Sequence, residues 1–282
     1  MEGNMKKLLL IMTSIVMVTG FAFNVQADPA QDLRAFQDFY KKKFPDVQFD
    51  DFGNGIYALN KQLRDEWEIT MEFPPYELTL DEGKRLFNKP FKNGKTYASC
   101  FKNGGKNIAQ NYPYFDIKKG MVKTIELEIN ECRERNGEKP LKYKKGPIVA
   151  VSAYIHSMAQ GKRTNVQVPN NPAALAAYNK GKEFFYARRG QLNFACIHCH
   201  GANAGMKVGG NILSPALGQT THFPAYRAKW GAVGTIQRRY TGCNKQVRAK
   251  PFKAQGEEYR NLQYFHTYMS NGVPLNAPGT RF

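Results

Sequence analysis

Cys196, His198, Cys199 and His200 crowd into the run Ala195-Cys196-Ile197-His198-Cys199-His200-Gly201, in a 282-residue chain with only five cysteines and five histidines. Two thiols three positions apart can form thioethers with the two vinyl groups of a porphyrin, and the histidine after the second can bring its imidazole beneath the iron. The spacing therefore predicts one covalently bound haem c on Cys196 and Cys199, with His200 as proximal ligand. A thioredoxin-like dithiol fits less well, because no strand-rich βαβ alternation surrounds these residues. A zinc site fits no better, since the next candidate ligands, His222 and Cys243, lie far along the chain. His198 is left for packing or solvation. For the far side of the iron the sequence offers Met206, Met269, His222 and His266. It also offers Cys243, in the basic stretch Arg238-Arg239-Tyr240-Thr241-Gly242-Cys243-Asn244, where positive neighbours favour a reactive sulfur.

Haem c is attached outside the cytoplasm, so the motif requires export. Residues 1–27 read as a cleaved signal peptide: Lys6 and Lys7, an apolar run from Leu8 to about Phe23, and Val25-Gln26-Ala27 ahead of Asp28. Thr13, Ser14, Thr19 and Gly20 interrupt that run, and the mature chain is expected to carry no membrane span. The expected location is the periplasm, an oxidising compartment that permits a disulfide between cysteines not claimed by haem. The net charge of +18 drops by one when Glu2, Lys6 and Lys7 leave with the leader. No nucleic-acid motif accompanies that charge, so small anions or an acidic partner protein are the expected attractants.

Positioning these groups falls to a repeated module. Tyr112-Pro113-Tyr114, Cys132 and Met158-x-x-Gly161 recur as Phe223-Pro224-Ala225, Cys243 and Met269-x-x-Gly272, all displaced by 111 residues. Gly120, Ile125, Pro140 and Tyr154 match Gly231, Ile236, Pro251 and Phe265 at the same offset. Upstream the offset changes but the order persists, Gly83-x-x-x-Phe87 leading to Cys100 as Gly181-x-x-x-Phe185 leads to Cys199. Tyr97 and Phe101 then stand where the second copy has Cys196 and His200, so the first copy should hold no haem. Helices are predicted over 172–189, over 257–271 and over 148–160, with Gly161 to Asn171 as linker. The fold class that follows is mainly α: two tandem class I cytochrome c-like modules, residues 28–165 without haem and residues 166–282 with it.

The motif order Gly-x-x-x-Phe, Cys-x-x-Cys-His, Phe-Pro-x-Tyr-Arg (Phe223 to Arg227), Arg-Arg-x-x-x-Cys (Arg238 to Cys243), Val-Arg-Ala (Val247 to Ala249) and Ala-Pro-Gly-x-Arg (Ala277 to Arg281) resembles the SoxA family. These are the larger cytochrome subunits of the SoxAX complex of bacterial thiosulfate oxidation. Asn111-Tyr112-Pro113 and Ile129-Asn130-x-Cys132-Arg133 extend the likeness over nearly all of the mature chain. The resemblance implies an L-cysteine S-thiosulfotransferase that, as a heterodimer with the SoxX cytochrome subunit, conjugates thiosulfate oxidatively to a cysteine of the carrier SoxYZ. Electrons then pass through haem to a cytochrome c acceptor. It implies that Cys196 and Cys199 hold the haem and that His200 is the proximal ligand. Cys243 becomes the distal ligand and catalytic sulfur, carried as a persulfide, and Arg239 binds substrate. On charge alone, Arg238 or Arg248 is expected to help Arg239 hold a sulfonate. Many members carry a second haem in the N-terminal module; Tyr97 and Phe101 place this chain with the single-haem branch, in which Cys100 and Cys132 pair as a disulfide. Two other functions compete: a non-enzymatic electron-transfer cytochrome whose Cys243 only tunes potential, and a tetrathionate-forming thiosulfate dehydrogenase, which normally needs two haems in one chain.

Overall fold

A glycine at each of two helix crossings sets the architecture. A Cβ on Gly83 would lie 2.0 Å from the carbonyl oxygen of Ala150, and one on Gly181 would lie 2.1 Å from that of Asn261. Only a residue without a side chain allows backbones so close. At these points α3 (Glu77–Asn88) crosses α5 (Pro147–Ser157) and α6 (Pro172–Tyr186) crosses α8 (Glu257–Tyr268). These contacts belong to a computed structural model that describes residues 28–282; the signal peptide expected at 1–27 lies outside the described residues. α1 (Pro29–Lys43) and α2 (Lys61–Thr70) precede the first crossing pair. No helix among the described residues is long and apolar enough to cross a membrane.

Within each crossing pair the chain inserts a two-stranded hairpin and a third helix. In the first half these are β1 (Tyr114–Asp116), β2 (Met121–Lys123) and α4 (Ile125–Arg135). In the second, a short hairpin of β3 (Lys207–Val208) and β4 (Asn211–Ile212) comes first. It is followed by β5 (Ala225–Arg227), β6 (Ala232–Gly234) and α7 (Ile236–Gln246). The bounds of β5, β6 and α7 fall 111 residues beyond those of β1, β2 and α4. Thr124 and Thr235 start α4 and α7 in the same way, each side chain accepting a backbone N–H, from Leu127 at 3.2 Å and from Arg238 at 3.3 Å. The second half alone gains β7 (Gly279–Arg281), parallel to β5.

The helices follow from sequence in an ordinary way. Asn171 caps α6 and Pro172 opens it, and Ala174, Ala177, Tyr178, Gly181, Phe184 and Phe185 make its buried face. α6 stops at Tyr186, short of 189, because Ala187 turns to an extended conformation; α8 likewise ends at Tyr268.

Packing departs from a simple two-module division in three places. α1 was expected within residues 28–165, yet its Phe36 and Tyr40, with Phe52 beyond it, join Tyr178, Phe185 and Phe265 in the C-terminal core. The reason is complementarity: Asp32 accepts hydrogen bonds from Tyr178 and Lys182 of α6, and Gln37 donates to the carbonyl of Asn271. Second, the hairpins are partly exchanged, although Ala225 of β5 stays in the C-terminal core. Phe115 and Val122 of the first half belong to the C-terminal core, and Val233, with Tyr226 against it, belongs to the N-terminal one. Third, the Gly161–Asn171 linker is packed. Val166 is fully buried, and the N–H of Thr164 donates to the Val273 carbonyl at 3.0 Å.

Candidate functional site

The Cys-x-x-Cys-His run lies just beyond α6, where the chain makes a wide π-type turn over His198–Ala202. The turn is pinned from outside its own segment: the carbonyl of His200 accepts the hydroxyl of Tyr40 at 2.7 Å and the N–H of Ala216 at 2.9 Å. His198 turns back on its own loop, its Nδ1 accepting the N–H of Ala195 at 2.8 Å. His200 Nδ1 lies 2.9 Å from the carbonyl oxygen of Ser214. A carbonyl can only accept, so Nδ1 carries the proton and Nε2 keeps its lone pair, the tautomer a metal-binding imidazole needs. Burial above all, then the positive charge of Arg239, lowers the pKa of His200 to about 4 and keeps the ring neutral.

Against this ring opens a cleft walled by Phe184, Phe185, Phe194, Leu213 and Leu262 and by the sulfurs of Cys196, Cys199 and Cys243. Its lining has the mostly apolar character of a small-molecule site. All three cysteines are free thiols and half-buried; burial pushes the Cys196 thiol up to about 12, with the nearby Cys243 adding to it. α7 supplies the facing wall. Arg239, Cys243 and Gln246 lie one turn apart on a single face and all line the cleft. Arg239 Nη1 donates to Gln246 Oε1 at 3.4 Å, which steadies the guanidinium beside the cysteine.

The alternative ligands fall elsewhere. Met206 is 57% exposed on the loop after the turn, Met269 is packed in the core, and His222 is buried; none of them lines the cleft. His266 does line it, but both its nitrogens are engaged. Its Nε2 donates to the Ala216 carbonyl and its Nδ1 accepts from the Tyr240 hydroxyl, each at 3.1 Å. Of the suggested helpers, Arg238 lies 4.3 Å over the ring of Trp230, and neither it nor Arg248 lines the cleft. Sequence reasoning missed Arg189, which lines the cleft with its guanidinium 3.6 Å over Phe184. It also missed Tyr40, which reaches the site across 160 residues. The Arg188-Arg189 pair was visible, but not which of the two faces inward. Tyr40 left no local signal.

In the first half the corresponding residues are packed shut. Tyr97 and Phe101 are 2% and 5% exposed, and Tyr97 stacks on Phe87 and meets Phe91 edge-on. Cys100 and Cys132 are disulfide-bonded, Cα to Cα 5.8 Å. Glu128, in the place of Arg239, accepts the hydroxyls of Tyr112 and Tyr114.

The donor set fits a haem c: an oriented neutral imidazole, two thiols at attachment spacing, a third thiol across an apolar cleft. Comparison with known proteins agrees. The cytochrome c domain of the SoxA/TsdA family matches residues 82–164 and again 180–275. The L-cysteine S-thiosulfotransferase subunit SoxA of Chlorobaculum tepidum is 53% identical over 274 residues, covering 97% of this chain and 95% of the relative. That of Allochromatium vinosum is 53% identical over 256 residues, 90% of this chain and 91% of its own. Among solved structures, that of SoxXA from P. pantotrophus superposes with a TM-score of 0.68 at 28% identity, over 74% of this chain and 79% of that one.

Proposed function

The chain belongs to the SoxA family, and from that premise we propose that it joins thiosulfate oxidatively to the cysteine of a carrier protein, as an L-cysteine S-thiosulfotransferase subunit. One observation carries the reading: Cys243 and Arg239 share one face of α7 and look across a single cleft at His200. Cys196 and Cys199 would hold one haem c by thioethers, and His200 and Cys243 are the residues that would ligate its iron. When bound, the haem supplies an acceptor for electrons at the cleft wall.

Arg239 holds the sulfonate end of thiosulfate by charge-assisted hydrogen bonds, leaving the terminal sulfur next to Cys243. Cys243 is the sulfur through which bond making proceeds, carried as a persulfide. Overall, one S–S bond forms between thiosulfate and the carrier thiol, one proton leaves the thiol, and two electrons are released. With one haem in this chain a second acceptor is required. The partner cytochrome SoxX fills that role, with SoxYZ as carrier and a cytochrome c taking the electrons onward. The name of the P. pantotrophus assembly supports such a partner.

We further read the chain as two tandem cytochrome c-like modules, the N-terminal one without haem. Two separate matches to one family domain, the aromatic filling around Tyr97 and Phe101 and the Cys100–Cys132 disulfide support this. A filled first module also speaks against a two-haem tetrathionate-forming enzyme, and a cysteine in place of methionine at the cleft wall speaks against a simple carrier. Covalent haem attachment of this kind supports a periplasmic mature chain.

The test is turnover of thiosulfate by the complex with and without carrier protein, alongside intact mass of the purified chain. The expected result is carrier-dependent turnover, one haem, leader removal and one added sulfur on Cys243. Carrier-independent tetrathionate formation or two haems would sink the assignment.

A further inference from the structure

Two motifs play no part in the reading above, Phe223-Pro224-Ala225-Tyr226-Arg227 and Ala277-Pro278-Gly279-Thr280-Arg281. The fold lays their terminal arginines side by side. Arg227 and Arg281 are Cα partners across the parallel strands β5 and β7, so both side chains leave the same face of the sheet. Like charges so placed repel. Arg281 is 7% exposed. Its Nη1 and Nη2 donate to the carbonyls of Thr280 and Gly53 at 2.7 and 2.9 Å, and its guanidinium lies 5.1 Å from the centre of the Tyr57 ring. Arg227 is half-buried, 5.3 Å from the Trp230 ring. Among the described residues no carboxylate bears on either; burial lowers both to about 10, and Arg239 presses on Arg227 as Arg227 does on Arg281. Two cations held together, one buried and one half-buried, with no carboxylate partner are unfavourable, and an anion between them would offset that.

The position of the pair says which anion. A Cβ on Gly55 would touch both Arg281 Nε and the side chain of Ser214 at 3.6 Å, so Arg281 abuts the loop whose carbonyl orients His200. On its other side the charges that bear on Arg227 include Arg239 and Cys243 of α7. Arg227 also bears on His200, so the pair lies between the proximal loop and the distal helix, beside the cleft without lining its present wall. The first half offers a control. At the 111-residue offset Asp116 stands for Arg227 and Glu128 for Arg239, and among the described residues β1 has no third strand beside it.

We propose that Arg227 and Arg281 form a paired-arginine carboxylate site that takes the propionate edge of the haem, an inference resting on the one-haem reading above. Thiosulfate offers similar oxyanion chemistry, but a diffusing dianion would have to reach a guanidinium that is 7% exposed. A resident group is enclosed with it as the chain folds.

The test is the haem midpoint potential of Arg227→Gln in the purified complex, with haem per chain counted in the same sample. Losing a positive charge beside the haem favours the oxidised form. The potential should fall by about a tenfold change in the oxidised-to-reduced ratio, roughly 59 mV for one electron. Arg227→Lys should restore most of it, and Arg163→Gln, an exposed arginine paired with Asp50, should not move it. Arg281→Gln should shift the potential the same way, but its backbone bonds make it the riskier variant to fold, so Arg227 decides. An unmoved potential with a severalfold rise in thiosulfate KM would give the pair to the substrate's sulfonate and overturn the propionate assignment. A variant that moves neither would overturn the site. A wild-type chain found without haem would instead fail the reading beneath it.

Discussion

The two halves of the molecule share helix crossings, hairpins and capped third helices, yet one is filled and the other is open. In the first, Tyr97, Phe101 and a disulfide occupy what in the second is a cleft faced by three thiols and an imidazole. The scaffold therefore does not determine whether there is a site. A few positions do: Tyr97 against Cys196, Phe101 against His200, Cys132 against Cys243 and Glu128 against Arg239. A helical frame of this kind needs core volume, and rings or a prosthetic group can supply it.

That contrast can be broken most sharply at Cys243. Cys243→Met should lower thiosulfate turnover by about a thousandfold or more and alter the haem spectrum. Normal activity would make the cysteine as structural as its partner Cys132. Arg239→Ala should cost roughly a hundredfold in turnover while leaving the spectrum in place, since its counterpart Glu128 shows that the helix tolerates either charge. In the filled half the largest effect should come from Cys100→Ser with Cys132→Ser. The bond closes a loop with a sequence separation of 32, worth about 3 to 4 kcal/mol in the chain-entropy model, and a denaturation midpoint should report it. Gly83→Ala and Gly181→Ala should each cost about 2 to 3 kcal/mol through forced separation of the crossing helices, with haem yield falling more in the second. A further effect concerns acid. His266 has its pKa lowered to about 3 in the fold, chiefly by burial, against about 6.5 unfolded. The unfolded chain then binds the extra proton, so stability should decline as pH drops from about 6.5 towards 3. His266→Gln should flatten that decline in a melting-temperature series.

Local chemistry was legible in the sequence because it is encoded by spacing. Cys196, Cys199 and His200 fall within five residues, Arg239 and Cys243 are one helical turn apart, and the 111-residue repeat matches Ile125 with Ile236, the residues at which α4 and α7 begin. What the sequence hid is carried by pairs distant along the chain. α1 was assigned to the first module by order, but its aromatic face finds Tyr178 and Phe185. The hairpin exchange could not be read because three-residue strands carry too short a pattern to say which core they face. Choosing between Cys243 and the two methionines also needed three dimensions, since Met269 has suitable helical spacing and is simply turned into the core.

The traded hairpins have one more effect. Because Phe115 and Val122 sit in one core and Val233 in the other, neither half has a complete interior of its own, although hairpin and third helix recur at a 111-residue spacing. Melting should accordingly be a single concerted event, with calorimetric and spectroscopic curves coinciding. A fragment cut at residue 165 should be a poor folder on either side of the cut, so the two halves would stand or fall as one body.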